Sequence, residues 1–193
     1  MLAAGLSNRM GRNKMFLPLG GESLLRRAAR QAVDAGLEPL LVVVGHEAPR
    51  ACAELAGLPC RTVWNADYAK GVNVSLRAGI AQVPADSPAA VVMLADMPFV
   101  TAAMIRTMVE RYRASESPLV ISDYAGVNAP PMLYDRALFA ELGAMEGEGC
   151  GRQVVRRHQG EADVVSWPAE ALADVDVPED YDRARAGTPE SAG

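Results

Sequence analysis

The sequence predicts an α/β fold, a three-layer αβα sandwich that is Rossmann-like with a mostly parallel sheet. Three observations predict it. Apolar, β-branched runs alternate with amphipathic helical stretches through residues 1–115, the pattern of successive βαβ units. Two of these runs, 40–44 and 89–95, are apolar at every position, as in strands covered on both faces. Polar residues follow the runs directly, at the carboxyl ends where α/β sheets bind ligands.

The 193 residues are enough to bury a substantial core. Half of them are hydrophobic and 22% are charged, the balance of a globular chain. The expectation is one domain over residues 1–187 and a polar, disordered tail over 188–193. No apolar run reaches membrane-spanning length, and residues 1–15 lack the basic and long apolar regions of a signal peptide. The cytoplasm is the expected compartment. A net charge of −5 argues against broad nucleic-acid binding. It is compatible with a nucleotide substrate, because cationic residues concentrate near the N-terminus. Three cysteines without C-x-x-C spacing give neither a disulfide framework nor a thiolate zinc site.

The first fourteen residues, MLAAGLSNRMGRNK, open apolar, turn at Gly5 and become polar. Small residues let backbone approach a ligand, and successive N–H groups in such a turn form an anion nest. Arg9, Arg12 and Lys14 add charge for several phosphates. The spacing is not the Walker pattern: Gly5 and Gly11 are six apart, and Met15 follows Lys14. Only Met1 to Ala3 are available for the strand that should precede this loop. Either the start lies upstream or the central strand is clipped.

Pro18 to Gly21 is a turn. A helix follows, with Leu24, Leu25, Ala28, Ala32 and Val33 as its apolar stripe and Gly36 as its stop. Leu40 to Val44 is a buried strand, 49–56 a short helix, and Cys60 to Trp64 a third strand. Gly71 breaks the chain, and Asn73 or Ser75 can cap the next helix. Ala89 to Ala95 is a strand ending in Asp96, with Pro98 preventing its continuation. Thr101 to Arg113 is an amphipathic helix filled by Met104, Ile105, Met108 and Val109. Leu119 to Ser122 is a strand. Asn128 to Tyr134 is extended, and Pro130-Pro131 suits it to an edge or a substrate loop, not a central strand. A short helix (137–142), a glycine-rich loop (146–152), a basic helix (153–158) and a strand (162–166) follow. Strand alternation puts Asp174 and Asp176 on one side and Val175 and Val177 on the other. Pro178 then opens a helix with Glu179 and Asp180 in its first turn.

The run LAAGxSxRMGxxK over residues 2–14 resembles the signature of the nucleotidyltransferases that act on the molybdenum cofactor, above all the cytidylyltransferase branch. GxxxSLRAG (71–79), LADMP (94–98) and DVDVPED (174–180) extend the resemblance along most of the chain. It implies a nucleotidyltransferase fold of the GT-A type and transfer of a nucleoside monophosphate to a phosphate acceptor, with pyrophosphate released. Leu2, Ala3, Ala4, Gly5, Ser7, Arg9 and Lys14 would wrap the triphosphate. Asn65, Ser75 and Arg77 would lie near the base or the acceptor. Asp96 and Asp176 would hold Mg2+, whose preference is for hard oxygen ligands and phosphates. Pro131, Glu148 and Arg152 would border the acceptor. Arg9, Lys14 and Asp96 would be the catalytic set.

The guanylyltransferase branch reads Leu-Ala-Gly-Gly at the start, so Ala4 leans towards CTP. The acceptor implied is the molybdopterin form of the cofactor, with a molybdoenzyme as a further partner and neither nucleic acid nor membrane. Two positions depart from the family: Ala129-Pro130-Pro131 stands where Gly-His-Pro is usual, and Cys150 where glycine is usual. Other readings stay open. One is a non-catalytic insertion factor or chaperone for a molybdoenzyme. Another is a transferase acting on a sugar phosphate or other small phosphate.

Overall fold

Strand β1 (Leu2–Ala3) sits inside the sheet and joins its two halves. The computed structural model describes residues 1–6, 13–146, 149, 151–172 and 178–186. On one side β1 pairs in parallel with β4 (Leu40–Val44), which pairs in parallel with β5 (Cys60–Trp64). On the other side it meets the end of β6 (Ala89–Val92): Leu2 N–H donates to the Met93 carbonyl at 2.8 Å, and Ala95 N–H to the Leu2 carbonyl at 3.1 Å. β6 lies antiparallel to β9 (Met132–Asp135), and β9 antiparallel to β7 (Leu119–Tyr124). β7 is parallel to β10 (Asp163–Trp167). The order in space is thus β5-β4-β1-β6-β9-β7-β10, parallel except for β9. Two small hairpins stand apart: β2 (Pro18–Leu19) with β3 (Glu22–Ser23), and β8 (Val127–Asn128) folded back on β7.

Successive strand residues face opposite ways, so each strand feeds two cores. Ala3, Val42 and Val44 pack against α1 (Leu24–Asp34), α2 (Ala48–Glu54) and α4 (Ala102–Ala114). Leu2, Ala4, Val43 and Ile121 pack against α3 (Val72–Ile80), α5 (Phe139–Ala144) and α6 (Arg152–His158). These are the three layers. α1 begins where the Ser23 hydroxyl accepts from Arg26 N–H, and α4 where the Thr101 hydroxyl accepts from Met104 N–H. α7 (Pro178–Ala186) packs Tyr181 and Ala184 on Leu17, Leu19 and Leu24, and the Tyr181 hydroxyl donates to the Pro18 carbonyl at 2.5 Å.

Two expectations need correction. Residues 132–135 are not an edge strand, since β9 is paired on both sides. The prolines do not prevent this, because Pro130 and Pro131 precede the first ladder residue and their missing N–H groups fall in the loop. Their carbonyls are also accounted for. Ser122 Oγ donates to Pro131 O at 2.6 Å, and Tyr124 Oη to Pro130 O at 3.0 Å. Burial pushes the Tyr124 phenol up to about 12, so it remains a donor. The second correction concerns α3. Gly71 is its N-cap residue, at φ 112°, and Asn73 and Ser75 lie inside the helix without capping it. The strand expected over 89–95 keeps its ladder for 89–92 and contributes a bridge at Leu94. The readings on 174–177 and 188–193 lie outside the described residues.

At the amino ends of β4 and β6, Leu40, Leu41, Ala90 and Val91 line a cavity of about 130 Å³ that reaches α3 at Leu76 and Gly79. The lining is largely apolar, and it lies at the opposite strand ends from the polar residues described next.

At the far edge, Arg111 of α4 grips Asp163 of β10 with two hydrogen bonds, 2.9 and 2.6 Å. That contact holds the Asp163 carboxyl below its ordinary value of 3.8, despite an opposing contribution from burial. A lowered carboxyl stabilises the fold above the unfolded value and loses that effect as pH falls through the folded one. Asp163→Asn should therefore cost about 0.5–1 kcal/mol at pH 6, given the exposed arginine, and progressively less as pH falls below 3.8. Urea melts of both proteins across this range check this.

Candidate active site

Two charged groups far apart in the chain meet at the carboxyl ends of β1 and β6. Lys14 lies in a single 3-10 turn, Lys14–Phe16, started by Asn13, whose side chain accepts from Met15 N–H. Asp96 follows Ala95, the residue hydrogen-bonded to Leu2. Lys14 Nζ stands 2.6 Å from Asp96 Oδ2, with the side chains only 10% and 16% exposed. Each neutralises the other in a setting where neither is well solvated.

The pair borders a cavity of about 380 Å³. Leu2, Ala4, Gly5, Leu6 and Met15 form its N-terminal wall, Tyr68, Gly71, Val72 and Ser75 the opposite wall, and Leu94 and Asp96 its base. One wall thus comes from the N-terminal segment and the other from the start of α3, a helix N-terminus whose N–H groups favour anions.

Asn65 and Ser75 are both buried and paired: Asn65 Nδ2 donates to Ser75 Oγ at 3.0 Å, while Asn65 Oδ1 accepts from Asp67 N–H at 3.0 Å. This fixes the turn after β5 against α3. Asn73, 1% exposed, reaches the other way. Its Nδ2 donates to Glu146 O and its Oδ1 accepts from Gly151 N–H, both at 3.3 Å.

Of the residues singled out from sequence, Leu2, Ala4, Gly5, Lys14, Ser75 and Asp96 converge on this cavity. Ala3 faces the α1 core instead, as strand alternation requires. Arg77 is two positions beyond Ser75, about 200° around the helix, and does not line the cavity. Pro131 is buried with its carbonyl held by Ser122. Arg152 is exposed at the first position of α6. Ser7, Arg9, Glu148 and Asp176 lie outside the described residues.

The sequence reading missed Tyr68 as a lining residue. Tyr68 lies against Gly45 at the end of β4, where an added Cβ would come within 2.5 Å of Tyr68 Cβ, a closeness that no sequence pattern announces. The reading also took Asn73 only as a possible cap.

Asp96 is the only carboxylate on the lining among the described residues, and these hold no group of three or more His, Cys, Asp or Glu side chains suited to a metal. Its oxygens are nonetheless the hard donors that a divalent cation and phosphates share. They face a cavity whose opposite wall is a helix N-terminus, so the residues present fit such an ion.

Residues 1–162 match the family model described as the MobA-like NTP transferase domain. The chain is 30% identical over 196 residues to the purine catabolism protein PucB of Bacillus subtilis, covering 95% of this chain and 93% of the relative. It is 30% identical over 191 residues to a nicotine blue oxidoreductase of Paenarthrobacter nicotinovorans, with 93% and 91% covered. It is also 30% identical over 192 residues to a probable molybdenum cofactor guanylyltransferase of Opitutus terrae, with 96% and 93% covered. Among solved structures, Rv0371c of Mycobacterium tuberculosis superposes with a TM-score of 0.82 at 28% identity, covering 97% and 96% of the two chains. The same protein in complex with manganese gives 0.78 at 25% identity, with the same coverage. The family model spans every strand of the sheet except the edge strand β10, together with the Lys14–Asp96 pair and the cavity walls, so the chain belongs to the MobA-like NTP transferase family and is a nucleotidyltransferase of that family.

Proposed function

We propose that the protein transfers CMP from CTP to a phosphorylated acceptor, the molybdopterin form of the molybdenum cofactor. The observation that carries this reading is the buried Lys14–Asp96 pair at the lip of the cavity. An acceptor phosphate oxygen attacks the α-phosphorus. The bond from that phosphorus to the bridging oxygen breaks, and pyrophosphate leaves with the electron pair. This chemistry needs alignment and charge neutralisation more than a protein nucleophile.

Lys14 and Arg9 hold the triphosphate and neutralise charge on the departing pyrophosphate. As the phosphates arrive, Lys14 exchanges its carboxylate partner for them and frees Asp96. Asp96 and Asp176 would hold Mg2+, which when bound would supply positive charge beside the phosphates. The C-terminal helix that follows Asp176 packs on the hairpin that follows Lys14, which supports a shared site. Asn65, fixed by Ser75, serves the base or the acceptor together with Ser75. Pro131, Glu148 and Arg152 border the acceptor. The choice of cytidine rests on Ala4, and the choice of acceptor on the signature and on the relative named for the molybdenum cofactor.

The test is turnover. Each of the four triphosphates is incubated with Mg2+ and with the cofactor, a sugar 1-phosphate or methylerythritol phosphate, and pyrophosphate is measured. The expected result is release with CTP and the cofactor. Release only with a sugar 1-phosphate would remove the proposed acceptor. Tight cofactor binding without release, unchanged by Asp96→Ala, would make the protein a carrier.

A further inference from the structure

The cavity lining carries charge at one place. Lys14 and Asp96 are its only charged residues among those described, and they touch each other. The rest of the described lining is uncharged, and Tyr68 is its single aromatic side chain. Phosphates belong with Lys14. What is left is a neutral region with one ring in its wall.

The placing of that ring is tightly set. Tyr68 opens a 3-10 turn, Tyr68–Lys70, that follows β5. Buried Asn65 fixes the entry to the turn: its Oδ1 accepts from Asp67 N–H, and its Nδ2 donates to Ser75 Oγ, both at 3.0 Å. At the exit, Gly71 N–H donates to Tyr68 O at 3.4 Å. Gly45 lies against the ring, and a Cβ there would come within 2.6 Å of Tyr68 Cγ and 2.9 Å of Cδ1. The His46 ring stands beside it, with 6.1 Å between centroids. The Tyr68 hydroxyl makes no hydrogen bond to a described residue, so these contacts position the ring and leave the hydroxyl unassigned.

We propose that Tyr68 binds the nucleotide directly, its ring being the surface on which the base stacks. This rests on the proposed binding of a nucleoside triphosphate at Lys14. A base is flat, aromatic and neutral, which matches the uncharged region and the one ring in it. Every base has a π-face, so Tyr68 contributes affinity for nucleotides as a class and does not choose among them. A side chain that only filled space could be exchanged for leucine without consequence for a ligand. A stacking platform could not.

The experiment titrates the full-length wild type, Tyr68→Leu and Tyr68→Phe by calorimetry, with Mg2+ present, against two probes. One is a non-hydrolysable CTP analogue; the other is inorganic tripolyphosphate, which has the phosphates and no base. Tyr68→Leu should raise the Kd of the analogue about five- to a hundredfold, the range of one lost stacking contact. It should leave tripolyphosphate within about twofold, and Tyr68→Phe should bind both as the wild type does. In the wild-type complex the H5 and H6 protons of the cytosine should shift upfield under the ring current of Tyr68. That readout needs no variant, and it serves where Tyr68→Leu folds poorly. Base protons that keep their free shifts in a wild-type complex overturn this inference alone. So does a folded Tyr68→Leu that binds the analogue normally, or that weakens both probes equally. A wild type that binds neither probe overturns the functional reading and this one with it.

Discussion

Asp96→Asn should lower the rate of pyrophosphate release by about a hundred- to a thousandfold while leaving the fold intact. The substitution keeps the shape of the side chain and removes its charge. Asp96 is the only acid on the described part of the cavity lining, so nothing there takes its place. Two effects then combine. The site loses a hard oxygen ligand for a divalent cation, and Lys14 loses the partner now 2.6 Å away. Loss of that negative charge favours triphosphate binding, so KM for the nucleotide should change little or fall while kcat drops. A loss shared equally between kcat and nucleotide KM would point to a collapsed site. Activity within about threefold of wild type would remove Asp96 from the chemistry, because charge neutralisation on this scale cannot be lost so cheaply. Steady-state pyrophosphate assays with thermal melts of both proteins separate these outcomes.

Gly151→Ala should cost about 2–4 kcal/mol of stability, from overpacking and left-handed backbone strain together. The residue sits at φ 84°, and an added Cβ would lie 2.6 Å from Tyr134 Oη and 3.4 Å from its Cζ. Tyr134 is fully buried in β9, the reversed strand in the sheet interior, so it cannot swing aside. The melting temperature should fall on the order of 5–15 °C for a chain of this length. Tyr134→Phe removes the nearer atom, so the double variant should recover part of the loss but not the backbone strain. A melting curve for Gly151→Ala that overlays the wild type would mean that α6 can shift freely, and the packing described for that face would be wrong.

Local patterns made much of the fold readable. Leu40–Val44 is the strand the sequence predicts, residue for residue, because an apolar, β-branched run between turns has few alternatives. Thr101 and Ser23 cap the helices that follow them for the same kind of reason. What was not readable is what depends on partners distant in sequence. The place of β9 is one case: prolines exclude pairing only where their own nitrogens face a neighbour, and that is decided by the strand on the far side. Asn73 is another. A helix-starting residue type beside a glycine looks like a cap, yet Gly71 already supplies the turn, which frees the amide to reach Glu146 and Gly151. Lys14 and Asp96 each stood out in the sequence as candidates, one for phosphate and one for a metal. Their mutual pairing was not, because no spacing rule connects residues on two different strands' ends.

The reversed strand β9 bears on how the sheet is assembled. It lies between β6 and β7, and both of these precede it in the chain. A chain emerging from the ribosome therefore holds two partners in hand before the piece that joins them has been made. Joining of the halves is a late event in synthesis.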